Sequence, residues 1–213
     1  MSAAMRNRGD VIFRAARAED VTPAVPLIYA SGPDAFDYVF ATREHDAMAF
    51  LRHAFTCGSG EFGFGIHIVG EINGHIVATG AGWTAASTLP FTLAAAGQFM
   101  GFFGPMGTPA VIVRGLRTEA VIRPPSPGEF YIGHLGVDPA WRGQGIGEAL
   151  VGQLADTGRG RGLKTLALDV AVTNPRAQAL YTRLGFTVAG ERASTLKRDL
   201  GHVPPSRRMT RPL

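Results

Sequence analysis

With a single cysteine, Cys57, among its 213 residues, the chain cannot close an intrachain disulfide. A reducing, cytoplasmic setting is the expectation that follows. The opening residues, MSAAMRNRGD, lack the apolar core of a secretory signal. Between Ile76 and Val113 there is no Asp, Glu, Lys or Arg. A membrane span needs about 20 mostly apolar residues in a row. Here Pro90, Gly97, Gln98, Gly101, Gly104, Pro105 and Gly107 interrupt the run, so it reads as buried or interfacial structure, and no membrane partner is expected. Clustered metal ligands are missing too. His67 and His75 flank an Asn73-Gly74 turn on opposite sheet faces, and no metal is expected without a ligand cluster. The net charge of +4 comes from scattered basic residues, densest at Arg207, Arg208 and Arg211. That pattern suits a solvated tail or a local anion site better than nucleic acid.

What is present reads as one α/β unit. Hydrophobic residues make up 46% and charged residues 18% of the chain, enough apolar surface for a substantial core. Residues 1–10 read as a flexible N-terminus and 11–213 as a single domain. Strands are expected at 11–16 and, as a hairpin, over 64–83, where Asn73-Gly74 favours a type I′ turn. Asp20 is placed to cap a first helix that Pro23 and Pro26 disturb. A helix over 43–55 carries Phe50, Leu51, Ala54 and Phe55 on one side. A second, over 86–103, carries Leu89, Leu93, Ala96 and Met100 in register. Residues 104–128 read as a Pro/Gly-rich connection with a strand-like AVIV. A central strand at 129–137 is followed by a helix near 145–158 with Ile146, Ala149, Leu150 and Leu154 on its stripe. A strand at 165–172 leads into a helix over 174–186, with Asn174 as cap and Pro175 at its first position. The terminal RMTRPL offers one more strand.

The stretch VDPAWRGQGIGEALVGQLA, residues 137–155, carries the chemistry. Each helical glycine costs about 1 kcal/mol relative to alanine, yet Gly143, Gly145 and Gly147 stand at a helix entry. A helix N-terminus presents N–H groups without intrahelical acceptors and about half a positive charge. Glycines let phosphate oxygens reach those groups, and Arg142 adds a charge-assisted donor. The sequence RGQGIGE is not a Walker A loop, and Glu148 breaks the G-x-G-x-x-G pattern.

Arg142-x-x-Gly145-x-Gly147 after the strand YIGHLGV, followed by Asn174, Ala177, Tyr181 and LGF at 184–186, closely resembles the acetyl-CoA-binding motif of the GNAT N-acetyltransferase superfamily. The resemblance is specific over 129–186. It implies a GNAT-type α/β fold: a mixed, centrally splayed β-sheet flanked by helices, with a helical insertion at 84–128 before the central strand. It also implies acetyl-CoA as cosubstrate. The pantetheine arm would pair with backbone around Leu135, Gly136 and Val137. The pyrophosphate would lie on the N–H groups of Arg142, Gly143, Gln144, Gly145, Ile146 and Gly147, with Asn174 and Ala177 bordering the arm.

The implied reaction is direct acetyl transfer to a primary amine of a small molecule or peptide. By the resemblance Tyr181 is the general acid at the CoA sulfur; the same tyrosine would equally suit a core stripe with Ala177 and Leu184. A backbone N–H near Leu135 or Gly136 would hold the oxyanion. The base stays open. Strand alternation puts Glu129, Tyr131 and Gly133 on one face and Phe130, Ile132 and His134 on the other. Glu129 is in phase and could act through water. A histidine ordinarily titrates near neutrality, but His134 is out of phase unless a bulge turns it. Because Tyr131 and Gly133 stand where the family often has a base, a catalytically silent acyl-CoA-binding module is the alternative function. Phe91, Phe99, Phe102 and Phe103 are expected to wall an apolar acceptor pocket, and the uncharged segment could serve a homodimer.

Overall fold

The computed structural model describes residues 10–213; all but the last residue of the expected flexible N-terminus therefore lies outside the described residues. The chain runs β1 (Ile12–Ala15), α1 (Val21–Tyr29), α2 (Pro33–Phe40), α3 (Ala47–Thr56), β2 (His67–Ile72), β3 (His75–Trp83), α4 (Thr88–Glu119), β4 (Glu129–Val137), α5 (Ile146–Gly160), β5 (Thr165–Ala171), α6 (Pro175–Arg183), β6 (Thr187–Arg192), a small β7–β8 pair (Lys197–Arg198, Gly201–His202) and β9 (Ser206–Pro212). Seven strands form one sheet in the order β1-β2-β3-β4-β5-β9-β6. All neighbours are antiparallel except β4 and β5.

That parallel pair is short. Residues 129–131 pair with 165–167, and above Tyr131 and Ala167 the strands part. The sheet is therefore open at its centre. On one side Phe130, Ile132, Leu166 and Leu168 pack with Ile146, Leu150 and Leu154 of α5 and with Tyr181 of α6. A second cluster joins α1, α2 and α3, with Phe50 and Phe55 fully buried.

Local chemistry accounts for several elements. Asn73 and Gly74 have φ of 50° and 79°, the positive values that a type I′ turn requires. Asp46 caps α3 by accepting from Ala49 N at 2.6 Å. Asn174 Oδ1 accepts from Ala177 N at 3.1 Å and Pro175 opens α6.

Five expectations change. Asp20 precedes α1 without a side-chain cap; its buried carboxylate takes Arg14 and the Arg17 N–H instead. The helix at 86–103 and the connection after it are one element, α4, broken only at Gly104 (φ 66°, ψ 178°). AVIV, residues 110–113, is helical, with Val111 fully buried. The stripe of Leu89, Leu93 and Met100 faces solvent, at 50–68% exposure. An uncharged helix has no polar face to mark its outer side, and the aromatic face won: Phe99, Phe102 and Phe103 pack onto the α1–α3 cluster. Ala149 of α5 is also exposed, and Val151 is buried in its place.

Candidate active site

A cleft of about 1230 Å³ occupies the opening between β4 and β5. One end is the glycine loop. Gly143 and Gly145 have φ of 76° and 81°, and a Cβ on either would meet open space. Backbone conformation, not crowding, therefore demands glycine there. Gly145 is the N-cap of α5, so the first free N–H groups of that helix open on the cleft. Arg142 folds back, its Nε donating to Val137 O at 3.0 Å, which fixes the loop to the end of β4. Leu135, Gly136, Val137, Arg142, Gly143, Gly145, Ile146, Gly147, Asn174, Ala177 and Tyr181 all line the cleft. Gln144, which sits between two lining glycines, does not itself line it.

Tyr181 is both packed and placed. Its ring stands edge-on to Phe186 at 5.8 Å. Burial pushes its hydroxyl up to about 12, so it stays protonated through neutral pH.

The centre of the cleft is set by an irregularity in β4. Ala81 pairs with Gly133 and Thr79 with Gly136, so Gly80 faces two residues, His134 and Leu135. His134 has φ 55°. This is a β-bulge, which inserts one extra residue and re-aims a side chain. Strict alternation would send His134 toward α5. Instead its ring lies against Phe62, Trp83 and Phe36, on the face shared by Tyr131 and Gly133. Leu135 and Val137 then return to the α5 face with Phe130 and Ile132.

His134 has two polar neighbours. Its Nδ1 is 3.2 Å from His67 Nε2, and its Nε2 is 3.7 Å from Glu61 Oε1. Glu129 is placed otherwise. Its carboxylate accepts from Ser126 N at 2.8 Å and pairs with Arg208 at 3.2 Å, and it does not line the cleft. Arg208, from β9, also holds Asp169, which accepts from Tyr131 Oη at 3.1 Å. Burial raises both the Asp169 carboxyl and the Tyr131 hydroxyl above their ordinary values.

The far end of the cleft is aromatic and acidic. Trp83, Phe91, Phe36, Phe62 and Phe99 line it, with Asp34, Glu61 and Glu119. Phe102 and Phe103 do not; they pack on Phe50. Burial, and then the charge of Glu61, raise the Glu119 carboxyl. Sequence reasoning missed Glu61, His67 and Trp83. Glu61 lies in a glycine-rich loop without periodicity, and His67 read as an ordinary strand residue.

The model of the Acetyltransferase (GNAT) family matches residues 33–186, well over half of the chain. The chain belongs to the acetyltransferase (GNAT) family. Among curated relatives, the N-alpha-acetyltransferase RimI of Mycobacterium tuberculosis is 38% identical over 85 residues, covering 35% of this chain and 52% of that protein. The chain spans between a fifth and about half of the length of the first curated relatives it matches. An N-acetyltransferase from Staphylococcus aureus Mu50 shares the fold at TM-score 0.68 and 16% identity, over 94% of this chain and all of that one. So does yncA from Salmonella typhimurium, solved with its cofactor acetyl-CoA, at TM-score 0.55 and 17% identity, over 96% and 95%. No helix among the described residues is long and apolar enough to cross a membrane.

Proposed function

We propose that the protein transfers an acetyl group from acetyl-CoA directly to a primary amine, with His134 as general base and Tyr181 as general acid. The bulge that turns His134 into the cleft carries this reading. Among the described residues no strand pairs with the β5-facing edge of β4 beyond Tyr131, which suits a pantetheine arm laid along Leu135 to Val137. The N–H groups at the start of α5 and the terminal nitrogens of Arg142 suit the pyrophosphate. Arg176 and Arg183 stand at the same end.

In the reaction the amine, arriving as a cation, first gives up a proton, and its freed lone pair attacks the thioester carbonyl, forming the N–C bond. A backbone N–H near Leu135 or Gly136 holds the oxyanion. His134 Nε2 takes the proton that the amine gives up, and Glu61 faces the imidazolium so formed. The C–S bond breaks, Tyr181 gives its proton to the departing sulfur, and the surplus proton on the acylated nitrogen restores the Tyr181 hydroxyl. Burial keeps that hydroxyl protonated at neutral pH, so the proton is in place for the step.

The two ends of the cleft differ in charge. Arg142, Arg176 and Arg183 gather at the cofactor end, with Glu148 as the exception; Asp34, Glu61 and Glu119 gather at the other, beside Arg123. Acids among aromatic rings favour an amine that arrives as a cation on an apolar carrier. Thiol release from acetyl-CoA tests both points. Turnover of 2-phenylethylamine should exceed that of phenylalanine, whose carboxylate would face Glu61, and that of spermidine, which lacks a ring. His134→Ala should lower kcat by about a hundredfold or more. Full activity of His134→Ala would remove the base assignment; a preference for spermidine would remove the acceptor class.

A further inference from the structure

We infer that His67 is a positioning residue: it fixes the tautomer of His134 so that the Nε2 lone pair, and not an N–H, faces the cleft. The inference rests on the reading of His134 as base, and the geometry behind it begins in the loop before β2. In CGSGEFG, residues 57–63, Gly58 and Gly60 have φ of 77° and 80°. Gly63 N donates to Gly60 O at 3.3 Å and Gly65 N to Gly58 O at 3.1 Å. A Cβ on Gly63 would sit 2.4 Å from Ser59 O, so the turn closes only with glycine at that position. The turn thereby holds Gly63 O in place, 2.8 Å from His67 Nδ1.

A carbonyl oxygen can only accept, so His67 Nδ1 carries the proton and donates. His67 is 2% exposed, and burial, reinforced by the charge of His134, drives its pKa down to about 3. The ring is therefore neutral at physiological pH, and its Nε2 bears a lone pair. Facing that lone pair at 3.2 Å is His134 Nδ1. Two lone pairs there would repel, so His134 Nδ1 carries the proton and donates to His67. His134 Nε2 is left bare, 3.7 Å from Glu61 Oε1. The order is Gly63 C=O, His67, His134, cleft. Every donor in the series is fixed by one backbone carbonyl, and the second ring nitrogen decides the task of the first.

Nitrogen-15 NMR of the ring nitrogens in the full-length chain at neutral pH reads this directly and needs no acceptor. His134 signals are assigned by their loss in His134→Asn. In the wild-type chain both His67 and His134 should show a protonated Nδ1 and a bare Nε2. His67→Phe removes the acceptor, and His134 should move toward the Nε2–H form. A wild-type His134 protonated at Nε2 overturns the inference, as does a folded His67→Phe variant that keeps the Nδ1–H form. Should that variant not fold, the wild-type spectrum decides alone, since the series demands Nδ1–H on both rings. Activity retained in His134→Ala would remove the base reading and leave the tautomer result standing, so the two fail separately.

Discussion

Acidification should destabilise the wild-type chain more than a His67→Gln variant, by an amount that follows from one buried ring. His67 has its pKa lowered from 6.5 to about 3. The unfolded chain binds a proton on this residue below about pH 6.5, and the folded chain does not until about pH 3, so stability falls as pH falls through that window. A shift of one unit corresponds to about 1.36 kcal/mol. At about pH 5 the ring has cost roughly 2 kcal/mol, and near pH 3 the cost approaches about 5 kcal/mol. For a domain of this size that first value is about 4–8 °C in Tm. Asp169 and Glu119 carry the opposite sign, because their raised pKa values let the folded form take protons first. They remain in both proteins and cancel in the comparison. Thermal denaturation followed by circular dichroism at about pH 7.5 and about pH 5 gives the two slopes. Wild type should lose about 4–8 °C more than His67→Gln. Equal losses would refute the claim that His67 is buried in its neutral form.

Three further outcomes probe the cleft. Gly145→Asp should fold, since a Cβ meets open space there and Asp tolerates positive φ better than most residues; calorimetry should show acetyl-CoA affinity reduced by about tenfold or more through repulsion of the pyrophosphate. Tyr181→Phe keeps the packing on Phe186 and should slow kcat by about 10²–10⁴-fold, with acetyl-CoA affinity within about twofold. Phe91→Ala and Phe102→Ala should separate: the first, beside Trp83 at the cleft wall, raises acceptor KM, as kinetics with 2-phenylethylamine would show, and the second, against Phe50, lowers Tm by the loss of about 2 kcal/mol or more.

The legible parts of the chain were those settled by neighbours in sequence. Asn73-Gly74 determines a turn by its own φ preference, and Asn174-Pro175 starts a helix whatever surrounds it. The glycines at 143 and 145 announced an unusual backbone, and the structure gives them positive φ. The illegible parts were settled by distant partners. Glu129 looked free for catalysis, but Arg208, 79 residues away, pairs with it. Strict alternation puts His134 on the other face, and only a bulge, the exception open to it, turns the ring into the cleft. Pairing with β3 makes that bulge, since Gly80 must face two residues, and no residue type in YIGHLGV advertises it. The outward turn of Leu89 and Leu93 had a related cause: an amphipathic phase is hard to read where no position is charged.

Between β4 and β5 the sheet is sewn at three residue pairs only, 129–131 with 165–167. A ligand lying in the gap above that seam would stand where another protein has a strand, supplying backbone-like partners that this chain does not supply for itself. Binding would then complete the fold as well as load the enzyme. Such a ligand present at a hundred times its dissociation constant adds about 2.7 kcal/mol to stability, more than the buried histidine removes at about pH 5. On the proposed function that ligand would be acetyl-CoA, and its binding would raise the melting temperature as well as fill the cleft.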